Sequence, residues 1–119
     1  MEMNVEMNVE MNMDLNINDE RKLTQADGSL TEETMLQALQ LLEVDEFAVL
    51  ALEDQRYVQT FRESESEYAL EYREGSNDTH FGSSAHVALD VVEAAFAAYI
   101  GGDFDVWKSA VEWKLLKLG

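Results

Sequence analysis

The chain has 119 residues, a 46% hydrophobic share and a formal charge of −17, from 25 Asp and Glu against 8 Lys and Arg. That length and apolar content suit one domain with a real core, while so acidic a surface excludes recognition of phosphate backbones and of anionic membrane surfaces, both of which need Lys and Arg. Without cysteine there is no disulfide, thiolate metal site or Cys nucleophile, and the charge balance favours a basic protein as partner.

Residues 1–18 alternate throughout. Odd positions from Met1 to Ile17 are apolar, and even positions from Glu2 to Asn18 are Glu, Asn or Asp. This is the period-two pattern of a strand with one buried face. The unit Met3-Asn4-Val5-Glu6 recurs as Met7-Asn8-Val9-Glu10. Two readings stand. One is a long strand, added to the sheet or exchanged with a second copy in a homodimer. The other is a repeat expansion, a disordered extension ahead of the domain proper at 19–119. Identical units hold register weakly, and glutamates on the polar face oppose aggregation. The first basic residue is Arg21, and no apolar run approaches the ~20 residues of a membrane span, so a cytoplasmic location is expected.

Residues 19–28 read as a polar connection. A helix is predicted over 31–43. Thr31 caps it, Glu32 and Glu33 favour its positive end, and Leu30 with Met35 forms a hydrophobic staple. Ser29 with Glu32 is an alternative capping box. Met35, Leu39 and Leu42 share one face.

Phe47–Leu52 is apolar on both faces and predicts a central strand. Tyr57–Phe61 and Tyr68–Tyr72 are rich in strand formers, and Thr79–Phe81 is a fourth short strand. The turns between them are Glu53-Asp54-Gln55, Glu63-Ser64-Glu65-Ser66 and Gly75-Ser76-Asn77-Asp78. Successive hairpin links predict an antiparallel meander. Arg56, Arg62 and Arg73 are expected to pair with Glu63, Glu71 and Glu74 across strands.

A second helix is predicted over 85–100, capped by Ser83 or Ser84 and stopped by Gly101-Gly102. Its polar residues fall on one stripe, His86, Asp90 and Glu93, so most of its circumference should be buried. The tail, with Trp107 and Trp113, fits two patterns: Phe104, Trp107, Val111, Leu115 and Leu118 as a helix face, or Val111, Trp113 and Leu115 as a strand; the favoured reading is a short helical turn near 103–109 and then an edge strand. The expected fold is α+β: a mainly antiparallel sheet of four or five strands, with helix 85–100 buried on one face and helix 31–43 flanking it. The expected core is Leu39, Phe47, Val49, Leu50, Tyr57, Phe61, Leu70, Tyr72, Val91, Val92, Phe96, Tyr99 and Trp113.

Catalytic signals are weak. His80 and His86 read as solvated histidines. Neither H-E-x-x-H nor an EF-hand loop occurs, and no glycine loop precedes a helix to cradle phosphate. No enzyme, cofactor or metal is expected. The candidate contact surface for a partner is the set of acidic turns around Asp54, Glu63, Glu65, Glu67 and Asp78.

The order of segments from residue 47 onward also carries a resemblance. Phe47-Ala48-Val49-Leu50 and Tyr57-Val58-Gln59 lead to Tyr68-Ala69-Leu70-Glu71-Tyr72-Arg73-Glu74-Gly75. After His80-Phe81 come Val92, Phe96, Tyr99, Gly102-Asp103, Trp107 and Trp113. Over residues 47–118 the chain resembles small bacterial immunity proteins of polymorphic-toxin systems, including those paired with nucleic-acid deaminase toxins. The resemblance implies a protein without catalytic residues. The expected function is therefore a non-enzymatic acidic binding protein, an immunity protein that neutralises a basic toxin domain. The alternatives are a dimeric module like a secretion chaperone, or a structural or interaction protein.

Overall fold

The structure is a computed structural model and describes residues 12–53, 56–75 and 79–116. In chain order these form β1 (Asp14–Ile17), β2 (Arg21–Thr24), α1 (Glu32–Gln40), β3 (Phe47–Glu53), β4 (Arg56–Arg62) and β5 (Tyr68–Glu74). Then come β6 (His80–Ser83), α2 (Leu89–Gly101), α3 (Phe104–Trp107), a 3-10 turn at Lys108–Ala110 and β7 (Trp113–Leu115). The strands make one antiparallel sheet in the order β2-β1-β3-β4-β5-β6-β7. The fold is α+β as expected, but the sheet has seven strands rather than four or five.

The two additional strands precede α1. β1 is the end of the alternating segment, and its apolar parity is realised: Met13, Leu15 and Ile17 are buried. Residues 1–11, the rest of that segment, lie outside the described residues. β2 falls in the stretch read as a connection. Arg21-Lys22-Leu23-Thr24 holds a single large apolar residue, so composition hides it. The turn before it is made by Asn18 and Asp19, both at positive φ (56° and 58°), a conformation that short polar side chains tolerate.

The cap of α1 is Thr31, as expected, but its capping box uses Thr34. Thr34 N–H donates to Thr31 Oγ1 at 3.1 Å, and Thr31 N–H donates to Thr34 Oγ1 at 2.9 Å. Leu30 and Met35 flank the cap and are both buried. The helix ends at Gln40, short of residue 43.

α2 starts four residues later than expected. Residues 85–88 are not helical, because Val87 exchanges both backbone hydrogen bonds with Tyr68, at 2.8 and 2.9 Å. The Ser83 hydroxyl donates to Ala85 O instead of capping a helix. Only Val92, Ala95 and Phe96 of α2 are fully buried, so its apolar composition overstates its burial. Its end is set by Gly102, whose left-handed φ of 85° suits a residue without a Cβ. The tail forms a helical turn and an edge strand, as predicted.

All three helices share one face of the sheet. α1 packs on α2, and α2 lies over β4 and β5. The Phe104 ring of α3 meets Tyr72 at 5.0 Å and Trp113 at 6.3 Å. Leu15, Leu50, Val58, Leu70 and Phe96 fill the space between the layers, each contributing about 1.5–3 kcal/mol by burial. Phe47, Val49, Tyr57 and Phe61 are not in this core. They are half-buried on the other face, because Ala48, Leu50, Val58 and Thr60 take the core parity of β3 and β4. Thr60 is tolerated there because its hydroxyl donates to Ala69 O at 2.7 Å. Val91, Tyr99 and Trp113 pack at the rim of the core. Among the described residues no helix is long and apolar enough to cross a membrane.

Candidate functional site: an acidic sheet end and an open sheet face

Antiparallel strands place alternate connections at opposite ends of a sheet. The β1–β2 turn, the α1–β3 connection and the β4–β5 turn therefore share one end. Backbone bonds join them. Asn18 N–H donates to Phe47 O at 3.1 Å, Asp45 N–H to Arg62 O at 2.8 Å and Arg62 N–H to Glu46 O at 2.9 Å. The acids gathered here are Asp19 and Glu20, then Glu43, Asp45 and Glu46, then Glu63, Glu65 and Glu67. All but the half-buried Glu46 are exposed.

Arg62 ties two of these connections together. Its Nη1 donates to Leu42 O, Nη2 to Glu65 O at 2.7 Å and Nε to Ser64 O at 3.2 Å. Its guanidinium also sits over the Tyr68 ring, 5.5 Å from the centroid. The arginine is committed to backbone carbonyls, which corrects the expected cross-strand pairing of Arg62 with an acid. The β4–β5 turn it braces leaves Glu63, Glu65 and Glu67 exposed, with Glu67 accepting from the Ser64 hydroxyl at 3.3 Å.

Of the predicted contact residues, Glu63, Glu65 and Glu67 stand together on one turn. Asp54 and Asp78 lie outside the described residues. The residues flanking them, Arg56 and Gly75, are at the opposite end of the sheet. Sequence reasoning missed the acids of 19–20 and 43–46. The signal was present in the parity of an antiparallel sheet, but it needs β1 and β2 to be counted.

The second feature is the sheet face that carries no helix among the described residues. Register places Phe61 opposite Phe47 and Ala69, Gln59 opposite Val49 and Glu71, and Tyr57 opposite Ala51 and Arg73. Arg73 in turn stands opposite His80. A polar chain runs through these positions. Arg73 Nη2 lies 3.1 Å from His80 Nδ1, His80 Nε2 lies 3.0 Å from Glu71 Oε1, and Gln59 Nε2 donates to the same oxygen at 2.8 Å. A guanidinium can only donate, so Nδ1 is assigned as acceptor and Nε2 as the protonated nitrogen that donates to Glu71.

His80 is thus a buried histidine, only 6% exposed, and not the solvated one expected. Arg73 opposite it and the Tyr57 ring 6.2 Å away cover the imidazole, and hydrogen bonds to both ring nitrogens offset the cost of burial. Arg73 reaches Glu71 through His80, and its guanidinium lies 5.7 Å from the Tyr57 centroid. Arg56 stands opposite Glu74 in register. His86 is exposed, at 48% for its side chain, but it lies ahead of α2 instead of on the helix stripe. It is 4.0 Å from Glu63 and so belongs to the acidic end.

Between the acidic end and the polar chain lies a depression of about 210 Å³. Phe47, Phe61 and Ala69 form its apolar part, and Gln59 and Glu71 its polar wall. Among the described residues no group of three or more acids and histidines is placed to hold a metal ion. Both ring nitrogens of His80 are engaged in the polar chain. Chemically, the arrangement offers carboxylates to donors and an aromatic surface to cations. Comparison with protein families, with curated proteins and with solved structures finds no match for this chain.

Proposed function

We propose that this protein is a non-enzymatic binding protein whose acidic sheet end receives a basic protein, and that its role is that of an immunity protein neutralising a basic toxin domain. The observation that supports this reading is the bracing of the acidic turns by Arg62. Carboxylates on held turns need little ordering on association, which lowers the cost of binding. Their summed field also speeds encounter with a basic partner and repels acidic ones.

The test uses the basic domain encoded by an adjacent gene. Its association with the full chain should be fast and should slow steeply with added salt. Replacing Glu63, Glu65 and Glu67 together by Gln should lower the association rate by about tenfold or more. No such domain beside this gene, or an association rate indifferent to both salt and the triple substitution, defeats the reading.

One observation favours a second reading, a dimeric module like a secretion chaperone. The helix-free face exposes part of Phe47, Val49 and Phe61, a surface on which an extended segment of a client could lie. A strictly monomeric mass by light scattering counts against it.

A further inference from the structure

We infer that the depression on the open sheet face is a socket for one long basic side chain of a protein partner, with arginine the best fit; this rests on the proposed binding of a basic protein and names the contact it uses. Size sets the class of occupant. At about 210 Å³ the depression is smaller than the ~300–1,000 Å³ of sites for small molecules and cofactors. It has room for a side chain.

The chemistry along the strands selects which side chain. Phe61 and Phe47 face each other across β3 and β4, with Ala69 beside them on β5. Their half-buried rings offer a surface to an aliphatic stem or to the face of a guanidinium. One rung deeper stands Glu71, which remains partly exposed although it accepts from Gln59 and His80. Toward the acidic end, Glu63 and Glu67 lie two residues beyond Phe61 and Ala69, in the same strand parity, and both are exposed. An apolar step with carboxylates above and below it complements a cation on an apolar stem and repels an acidic side chain.

The glutamate is also held in place for this. Its Oε1 takes hydrogen bonds from Gln59 and His80, and His80 is backed by Arg73. The carboxylate therefore keeps one orientation, with its second oxygen available to a donor from outside. A guanidinium bound there presents a planar set of donors, which an ammonium does not.

The probe is a short blocked peptide with a central arginine between glycines, and its control carries citrulline, the uncharged isostere. Each is titrated into the full chain and followed by amide chemical shifts. The arginine peptide should shift Phe47, Phe61, Ala69 and the Gln59 side-chain amide, and the citrulline peptide should not. Glu71→Gln and Phe61→Ala should each weaken binding about tenfold, while Glu33→Gln, exposed on α1 and away from this face, leaves it unchanged. Glu71→Gln keeps an oxygen for Gln59 and His80, so it reports on charge even where Phe61→Ala loosens the sheet.

Equal binding of the citrulline peptide, shifts centred on residues 63–67, or affinity unchanged in Glu71→Gln overturns the inference. A basic toxin domain bound equally by wild type and both variants also overturns it, and leaves the acidic-end reading standing. Arginine-peptide binding in the depression with no basic domain bound sustains the socket and sinks the toxin reading.

Discussion

His80 and His86 carry the same side chain six positions apart and meet opposite environments. The first is enclosed by Arg73 and Glu71, and the second sits in solvent near Glu63. Nothing local in the sequence separates them, since each neighbours small or apolar residues. What separates them is the cross-strand register, which brings Arg73 and His80 to opposing positions of β5 and β6. The same lesson applies to Thr60 and Phe61. By residue type Phe61 belongs to the core and Thr60 to the surface, yet strand parity reverses them and the bond to Ala69 O stabilises the outcome. His80→Ala should therefore cost about 1–3 kcal/mol, the penalty for stripping a partner from buried polar groups. His86→Ala should stay within about 0.5 kcal/mol, as surface changes do. Denaturant unfolding of both variants checks this, and equal effects would disprove the buried relay.

At the level of elements, legibility followed the strength of each periodic pattern. β3, β4 and β5 were readable from alternation and strand formers, and α1 from its cap and staple. The pattern of the tail fitted helix and strand alike, and the structure takes the favoured reading of a helical turn followed by an edge strand. β2 was not, because two charged residues and a threonine surround its single leucine. The start of α2 was misplaced because Ala85-His86-Val87-Ala88 suits a helix locally, while the two bonds between Val87 and Tyr68 decide its conformation. The tail is fastened to the meander by Lys108, which reaches Glu74 at 2.8 Å and Asp105 at 3.2 Å and lies 5.4 Å from the Tyr72 centroid. Burial alone would lower the Lys108 ammonium, but hydrogen bonds to Glu74 and Asp105 outweigh it and hold it above its usual 10.5. Burial likewise raises the Tyr72 phenol above 10.0, with the Lys108 charge pulling the other way. Both groups bind their protons more tightly in the folded state. Their stabilisation is complete below their unfolded values and is lost as pH rises through the higher folded ones. The melting temperature should thus fall as pH climbs above about 10, and Lys108→Met should flatten part of that fall. An unchanged alkaline profile in the variant would show that this fastening contributes nothing.

For the molecule as a whole, the antiparallel meander and the single helical layer were legible, and so was one acidic turn of the site. The convergence of three acidic connections was not, since it depends on a sheet that begins two strands earlier than the meander. Because β1 lies between β2 and β3, the sheet depends on it. Deleting residues 1–17 should abolish the cooperative thermal transition followed by circular dichroism, since Leu15 and Ile17 are buried core and each such loss costs about 2–5 kcal/mol. Deleting residues 1–11 tests the homodimer: unchanged mass in solution rules out that segment as its interface. The place of β1 has a mechanical consequence as well. It is laced on both sides, through four residue pairs to β2 and four to β3. A pull that frees β1 must break both ladders. Among the described residues β7 is held by three pairs on one side only, so fewer bonds resist its release. Of the two strands, β1 is the one more firmly anchored against force.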